Sequence, residues 1–76
     1  MKYYKITEGN EWFRNDHNGL IGLVFTLDNN NAKWYNRKGD IWIDYMTPAT
    51  ILYWIEFGFS ECTKEKASNI LGYNIA

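Results

Sequence analysis

The chain has 76 residues, a formal net charge of −1 and an aromatic content of 18%. A single domain of this length buries roughly 60% of its unfolded surface, which leaves little core for four Trp, six Tyr and four Phe. The balanced charge argues against a duplex-DNA binder, which carries a basic excess, and against a protein that imitates nucleic acid, which carries an acidic one. Clustered aromatic side chains that a small core cannot hold are typical of binding surfaces.

The cysteine content and the N-terminal residues indicate the cellular compartment of the protein. A single cysteine, Cys62, is too few for a disulfide framework and favours a reducing, cytoplasmic setting, where it serves as a small apolar core residue. No apolar segment typical of a signal peptide follows Met1, and no apolar run reaches the roughly 20 residues of a spanning helix. The sequence therefore predicts a soluble single domain over residues 1–76.

The N-terminal third predicts two strands around a loop. Residues 2–7 alternate between two faces and predict a strand. Residues 8–19 are polar and predict a loop, in which Trp12 and Phe13 either pin the loop to the core or face a partner. Residues 20–28 alternate without interruption and predict the clearest strand of the chain.

The middle of the chain predicts an antiparallel meander. The asparagines at 29–31 and the residues at 37–40 are typical of turns, because Asn and Gly tolerate the left-handed conformation. They separate the strand that ends at residue 28 from short strands at 32–36 and 41–45.

Two helices are predicted in the C-terminal third. The first begins at Thr47 and Pro48, covers 48–57 and ends at Gly58. It is apolar nearly all round, so it is buried on more than one side or presents rings to a partner. Its apolar stripe consists of Pro48, Ile51, Leu52 and Ile55, whereas Tyr53, Trp54 and Phe57 lie outside that stripe.

The last segment predicts a closing strand at 59–63 and a helix at 64–71 that Thr63 caps and Gly72 ends. The alternative is one continuous helical arm from Ser60. The apolar stripe of the helix consists of Ala67, Ile70 and Leu71. The predicted fold is α+β: a small bent antiparallel sheet of four or five strands, with an SH3-like small barrel as its specific form, one apolar helix and a C-terminal helix.

The residue types that carry catalysis or bind metals are sparse. His17 lies beside Asp16 in a polar loop, where neighbouring positions do not give the geometry of a catalytic triad. One His and one Cys are too few for a structural zinc site. Asp40, Asp44 and Glu56 are better explained as residues of turns and of the solvated surface than as an acid/base or calcium site. We therefore predict a protein that is not an enzyme and holds no metal or cofactor.

Protein binding is the function that the aromatic content favours. Trp and Tyr dominate the energy of protein interfaces. The apolar first helix also allows a homodimer that would use Tyr53, Trp54 and Phe57. The candidate protein-binding residues are Trp12, Phe13, Trp34, Trp42, Tyr53, Trp54 and Phe57.

Binding of single-stranded nucleic acid is the alternative. Small barrels bind single strands through exposed rings flanked by basic residues, and the segment 33–38 combines both. The candidates are Lys33, Tyr35 and Arg37, predicted to share one strand face, together with Lys38. A hairpin whose outer face is only solubilised by Lys and Arg explains the same pattern.

The order of these elements resembles small accessory proteins of phages of low-GC bacteria. The resemblance implies an SH3-like barrel that binds a host or defence protein, as anti-CRISPR and other anti-defence inhibitors do. It assigns no role to an individual residue. It rests on the strand and loop holding Trp12 and Phe13, on the segments 19–27, 33–35 and 40–45, on the Thr47-Pro48 helix start and on the ending Phe59-Ser60-Glu61-Cys62-Thr63-Lys64-Glu65.

Overall fold

The computed structural model describes residues 1–7 and 22–75. Within this part the chain forms an α+β domain with one antiparallel sheet and two helices, which confirms the predicted class. The elements in chain order are β1 (Lys2–Ile6), β2 (Val24–Asp28), β3 (Asn31–Tyr35), β4 (Ile41–Tyr45), α1 (Pro48–Phe57), β5 (Phe59–Cys62) and α2 (Lys64–Leu71).

The sheet has the order β4-β3-β2-β1-β5, and every pair of neighbours is antiparallel. The turn between β2 and β3 places Asn29 at a φ of 57°, and the turn between β3 and β4 places Gly39 at a φ of 90°. The predicted meander is therefore confirmed. The described strands form an open sheet rather than a closed barrel, because β4 pairs only with β3 and β5 only with β1.

Of the predicted strand at 20–28, residues 20 and 21 lie outside the described residues, and the observed strand β2 runs from Val24 to Asp28. The chain bends at Leu23, although the Leu23 N–H still donates to the Tyr35 carbonyl at 2.8 Å. Gly22 precedes the bend, and a Cβ there would lie 3.0 Å from Cε3 of Trp34 and 3.0 Å from the Tyr35 carbonyl oxygen. A side chain at this position would press against the Trp34 ring and the Tyr35 carbonyl, which favours a glycine.

One face of the sheet carries a cluster of aromatic rings. Phe25 lies at its centre, with ring centroids 4.8 Å from Tyr4, 4.7 Å from Trp34 and 5.1 Å from Phe59. Trp54 of α1 closes the cluster at 5.4 Å from Trp34 and 5.9 Å from Phe59. The core of this face is therefore aromatic and lies between the sheet and α1.

The opposite face is covered by α2. Ala67 and Leu71 are buried, and Ile70 packs against the core, so the predicted stripe of this helix is confirmed. Side chains of β2 that point to this face, such as Val24, are buried as well. Because helices lie on both faces, the central strand β2 is buried on both sides and loses the alternation of exposure typical of one-sided sheets.

The helix ends follow local signals in the sequence. The side-chain oxygens of Thr47 and Thr63 accept hydrogen bonds from the main-chain N–H three residues on, at 3.2 and 3.1 Å. Gly58 and Gly72 end α1 and α2, and both have positive φ. The continuous helical arm from Ser60 does not form, because β5 pairs with β1.

Candidate functional site

Large apolar side chains of α1 face away from the core. Leu52 is 57% exposed, Tyr53 50% and Ile55 38%. Successive helix residues are about 100° apart, so Ile51 and Trp54 point to the sheet while the side of Leu52 and Tyr53 points outward. We call Leu52, Tyr53 and Ile55 the helix surface.

This orientation corrects the predicted stripe of α1. Of the stripe residues, only Ile51 packs against the core, whereas Pro48, Leu52 and Ile55 are exposed. Trp54, predicted outside the stripe, points inward instead. The reason is that the indole ring contributes more apolar contact than Leu or Ile, and the aromatic cluster offers it two edge-on ring partners.

A second group of exposed apolar side chains lies on β4. Ile41 is 56% exposed, Ile43 70% and Tyr45 64%, and all three lie on the same face of the strand. We call them the strand surface. The alternation of 41–45 was visible in the sequence, but these residues were not among the predicted candidates. The sequence pattern that could have identified them is the position of β4 as the last strand of the meander, because such a strand lies at an edge of the sheet.

The candidate protein-binding residues divide into three groups. Trp12 and Phe13, with the side chain of Phe57, lie outside the described residues. Trp34 is buried in the aromatic cluster, and this burial removes it from any exposed surface. The half-buried rings are Trp42 and Trp54, and the exposed one is Tyr53, whose ring centroid lies 5.2 Å from that of Trp54.

The basic segment of the nucleic-acid alternative does not form one exposed face. Lys33, Arg37 and Lys38 are exposed, but the Tyr35 ring that should stack on a base is buried. Arg37 lies beyond the end of β3, and its Nε donates to the Ile70 carbonyl at 3.1 Å. A cation at the last turn of α2 stabilises that helix, so the structure gives Arg37 a local role.

The acidic candidates serve local structure. In the turn after β3, Oδ2 of Asp40 accepts from the Asn36 amide at 3.1 Å, and the Asp40 N–H donates to Oδ1 of Asn36 at 3.0 Å. Oδ1 of Asp44 accepts from the Tyr45 N–H at 3.0 Å, and Glu56 is exposed on α1. Residues 1–7 and 22–75 hold no group of three or more His, Cys, Asp or Glu side chains that could bind a metal ion. Asp16 and His17 lie outside the described residues.

Cys62 is a free thiol on β5, half-buried against the core. Burial raises the pKa of this thiol from its ordinary value of 9.0, and the nearby charge of Glu61 raises it further, while Lys5 and Lys66 act in the opposite direction. A raised pKa keeps the thiol protonated and slow to react, which agrees with a packing role.

An open depression of about 510 Å³ lies between α2 and the C-terminal residues. Ser68 at its wall accepts a hydrogen bond from the Ile75 N–H at 3.2 Å. Its hydroxyl therefore holds the C-terminal segment against α2. The lining consists of Lys64, Glu65, Ser68, Asn69, Asn74 and Ile75.

No protein-family model, no curated protein and no solved structure matches this chain. In the part of the chain that the structure describes, no helix is long and apolar enough to cross a membrane. The function is therefore inferred from the exposed surfaces themselves.

Proposed function

We propose that this chain is a non-enzymatic protein-binding module that docks its helix surface into an apolar groove of a partner protein. The observation that carries the proposal is the exposure of Leu52, Tyr53 and Ile55 on one ten-residue helix. A chain of this size has a thin core, and leaving three large side chains of one helix in water forgoes stability that burial would supply.

The spacing and charge of the helix surface define the groove it fits. Leu52 and Ile55 are three residues apart, the spacing of the anchors in helix-in-groove recognition. Burying such a side chain contributes roughly 1.5–3 kcal/mol. Tyr53 adds an apolar ring with a polar tip, and Glu56 is the only charge on α1. The matching groove is therefore apolar with a basic group at its rim.

The class of partner follows from the resemblance to phage accessory proteins. It implies a host or defence protein, whose activity the module changes by occupying a functional groove. The cytoplasm of a low-GC bacterium is then the compartment of the complex, which agrees with a chain whose single cysteine is a free thiol.

Affinity capture with matched variants tests this proposal. Tagged wild type, Leu52→Asp and Ile43→Asp are each incubated with lysate of a low-GC bacterium, with and without nuclease treatment, and bound proteins are quantified by mass spectrometry. We expect one stoichiometric protein on the wild type and on I43D, with at least about a tenfold loss on L52D, because a buried carboxylate without a partner opposes docking.

The I43D variant is the control because it places the same carboxylate on an exposed apolar position of the strand surface, outside the helix surface. Equal capture by L52D and the wild type contradicts the helix surface as the docking site. Capture that depends on nucleic acid, seen as loss of all bound proteins after nuclease, supports the single-strand alternative instead.

A further inference from the structure

Among the described strands β4 pairs on one side only, and its other edge presents main-chain groups in a regular pattern. The Met46 N–H donates to the Asn30 carbonyl at 2.7 Å, and the Asn36 N–H donates to the Asp40 carbonyl at 3.3 Å. In an antiparallel ladder these bonds recur every second residue, so Trp42 and Asp44 direct their main-chain groups to β3. The main-chain groups of the residues between them, Ile41, Ile43 and Tyr45, therefore point away from the sheet.

We propose that two copies of this chain pair through β4, antiparallel, about a twofold axis at Ile43. In this register Ile43 lies opposite its own copy, and Ile41 lies opposite Tyr45 of the second copy. Each of these pairs joins outward-pointing main-chain groups and exchanges both N–H···O bonds. The two open sheets then form one continuous sheet, and the proposal does not depend on the helix surface or its partner.

The side chains of β4 are complementary to themselves in this register. On one face the strand surfaces of the two copies form an unbroken apolar row, which lowers the exposure of three large side chains that are 56–70% exposed in the monomer. On the other face Trp42 lies opposite Asp44 of the second copy. Lys33 of the two copies lies three strand spacings apart, about 14 Å, too far for strong repulsion at physiological salt.

Charge selects this register over its neighbours. An axis at Asp44 places two Asp44 carboxylates directly opposite each other. An axis at Trp42 places Asp40 opposite Asp44 of the second copy. Like charges at directly opposed positions destabilise a strand pair, so the axis at Ile43 is the arrangement that pairs five residues without opposing carboxylates.

The other edge of the sheet is less suited to the same contact. β5 has four residues, and the one with an exposed side chain is Glu61. Self-pairing centred on Glu61 would oppose two carboxylates, and no row of exposed apolar side chains lies on that strand. The difference between the two edges argues for a dimer with one defined interface rather than an open-ended fibre.

Pairing through β4 breaks one hydrogen bond that the monomer makes. Asp44 accepts from the Tyr45 N–H at 3.0 Å, and this N–H must turn to the second copy on pairing. The carboxylate then returns to water at the exposed face, where it needs no protein partner. The bond therefore weakens self-association without preventing it.

Sedimentation of the wild type over a range of concentrations tests the dimer, and charged variants test its register. Ile43→Lys and Ile43→Glu each place like charges opposite each other across the axis, and we expect each alone to associate at least about tenfold more weakly than the wild type. Mixed in equal amounts, I43K and I43E place unlike charges opposite each other, and we expect the dimer to return. Amide exchange at Ile43 should slow as the wild-type concentration rises.

The matched control uses Leu52→Lys and Leu52→Glu, which change another exposed apolar residue, outside the proposed dimer interface, and should each dimerise like the wild type. A wild type that stays monomeric up to about 1 mM overturns the proposal. The β4 edge would then be a site for an extended segment of another protein. Dimerisation of I43K or I43E at wild-type strength, or a mixture that stays monomeric, overturns the register.

Discussion

The two helices of this domain begin and end alike, yet they pack in opposite ways. Each starts at a capping threonine, each ends at a glycine, and each adjoins β5. α2 is the more polar helix, and it buries Ala67 and Leu71 almost completely. α1 is apolar nearly all round, and its Leu52, Tyr53 and Ile55 side chains are exposed. The apolar character of a helix therefore does not by itself decide how deeply it is buried.

The difference follows from what each helix covers. α2 lies on a sheet face of close-packed side chains, and small residues such as Ala67 let it approach closely. α1 meets the aromatic cluster mainly through Trp54, a large ring that fills the contact and keeps Leu52, Tyr53 and Ile55 at the surface. The apolar residues on the outer side of α1 are exposed, which is why they form our candidate binding surface.

The largest expected effect compares the same residue type in the two helices. Leu71→Ala removes a buried side chain of α2 and should lower the free energy of unfolding by about 3 kcal/mol. Leu52→Ala removes an exposed side chain of α1 and should change it by less than about 0.5 kcal/mol. Urea denaturation monitored by circular dichroism measures both. Equal losses in the two variants would contradict the difference in burial between Leu71 and Leu52.

An intermediate effect is expected where the helices are alike. Thr47→Ala and Thr63→Ala each remove one capping hydrogen bond and should each lower stability by about 1 kcal/mol. The two losses should be similar, because capping is local and does not depend on how deeply a helix is buried. Thr47→Ser and Thr63→Ser keep the oxygen and serve as controls in the same denaturation experiment. A loss in only one helix would show that capping too depends on packing.

The smallest effect concerns Cys62, which lies near Lys66 of α2. Burial raises the pKa of its thiol, so the folded chain should be alkylated by iodoacetamide at pH 8 more slowly than the chain in urea. Since the folded state holds this proton to higher pH than the unfolded state, stability should fall as the pH rises above 9.0, and Cys62→Ala should reduce that fall. L71A, which loosens α2, should raise the alkylation rate, whereas L52A should not. Equal rates in all three folded chains would contradict a thiol protected by packing.

The candidate surface was only partly predictable. Tyr53 was among the predicted binding residues and is exposed, but Trp34 was among them too and is buried at the centre of the core. Ile43 was predicted to lie on one face of a strand, but it was not predicted to be exposed. Residue type indicated that a binding surface should exist, since the aromatic content exceeds what a small core holds. It could not assign individual rings, because burial depends on which elements meet across the sheet.

The sequence by itself determined the local features of this protein. The limits of α1 and α2, their caps, the meander of β2, β3 and β4 and the apolar stripe of α2 all follow from interactions between residues a few positions apart, which are written in the chain. The tertiary structure alone decided that helices cover both faces of β2, that α1 turns Trp54 inward and Leu52 outward, and that β4 is the end strand of the described sheet. These features depend on contacts between distant segments, where the volume and shape of the assembled core, rather than the pattern of any one element, choose which side is buried.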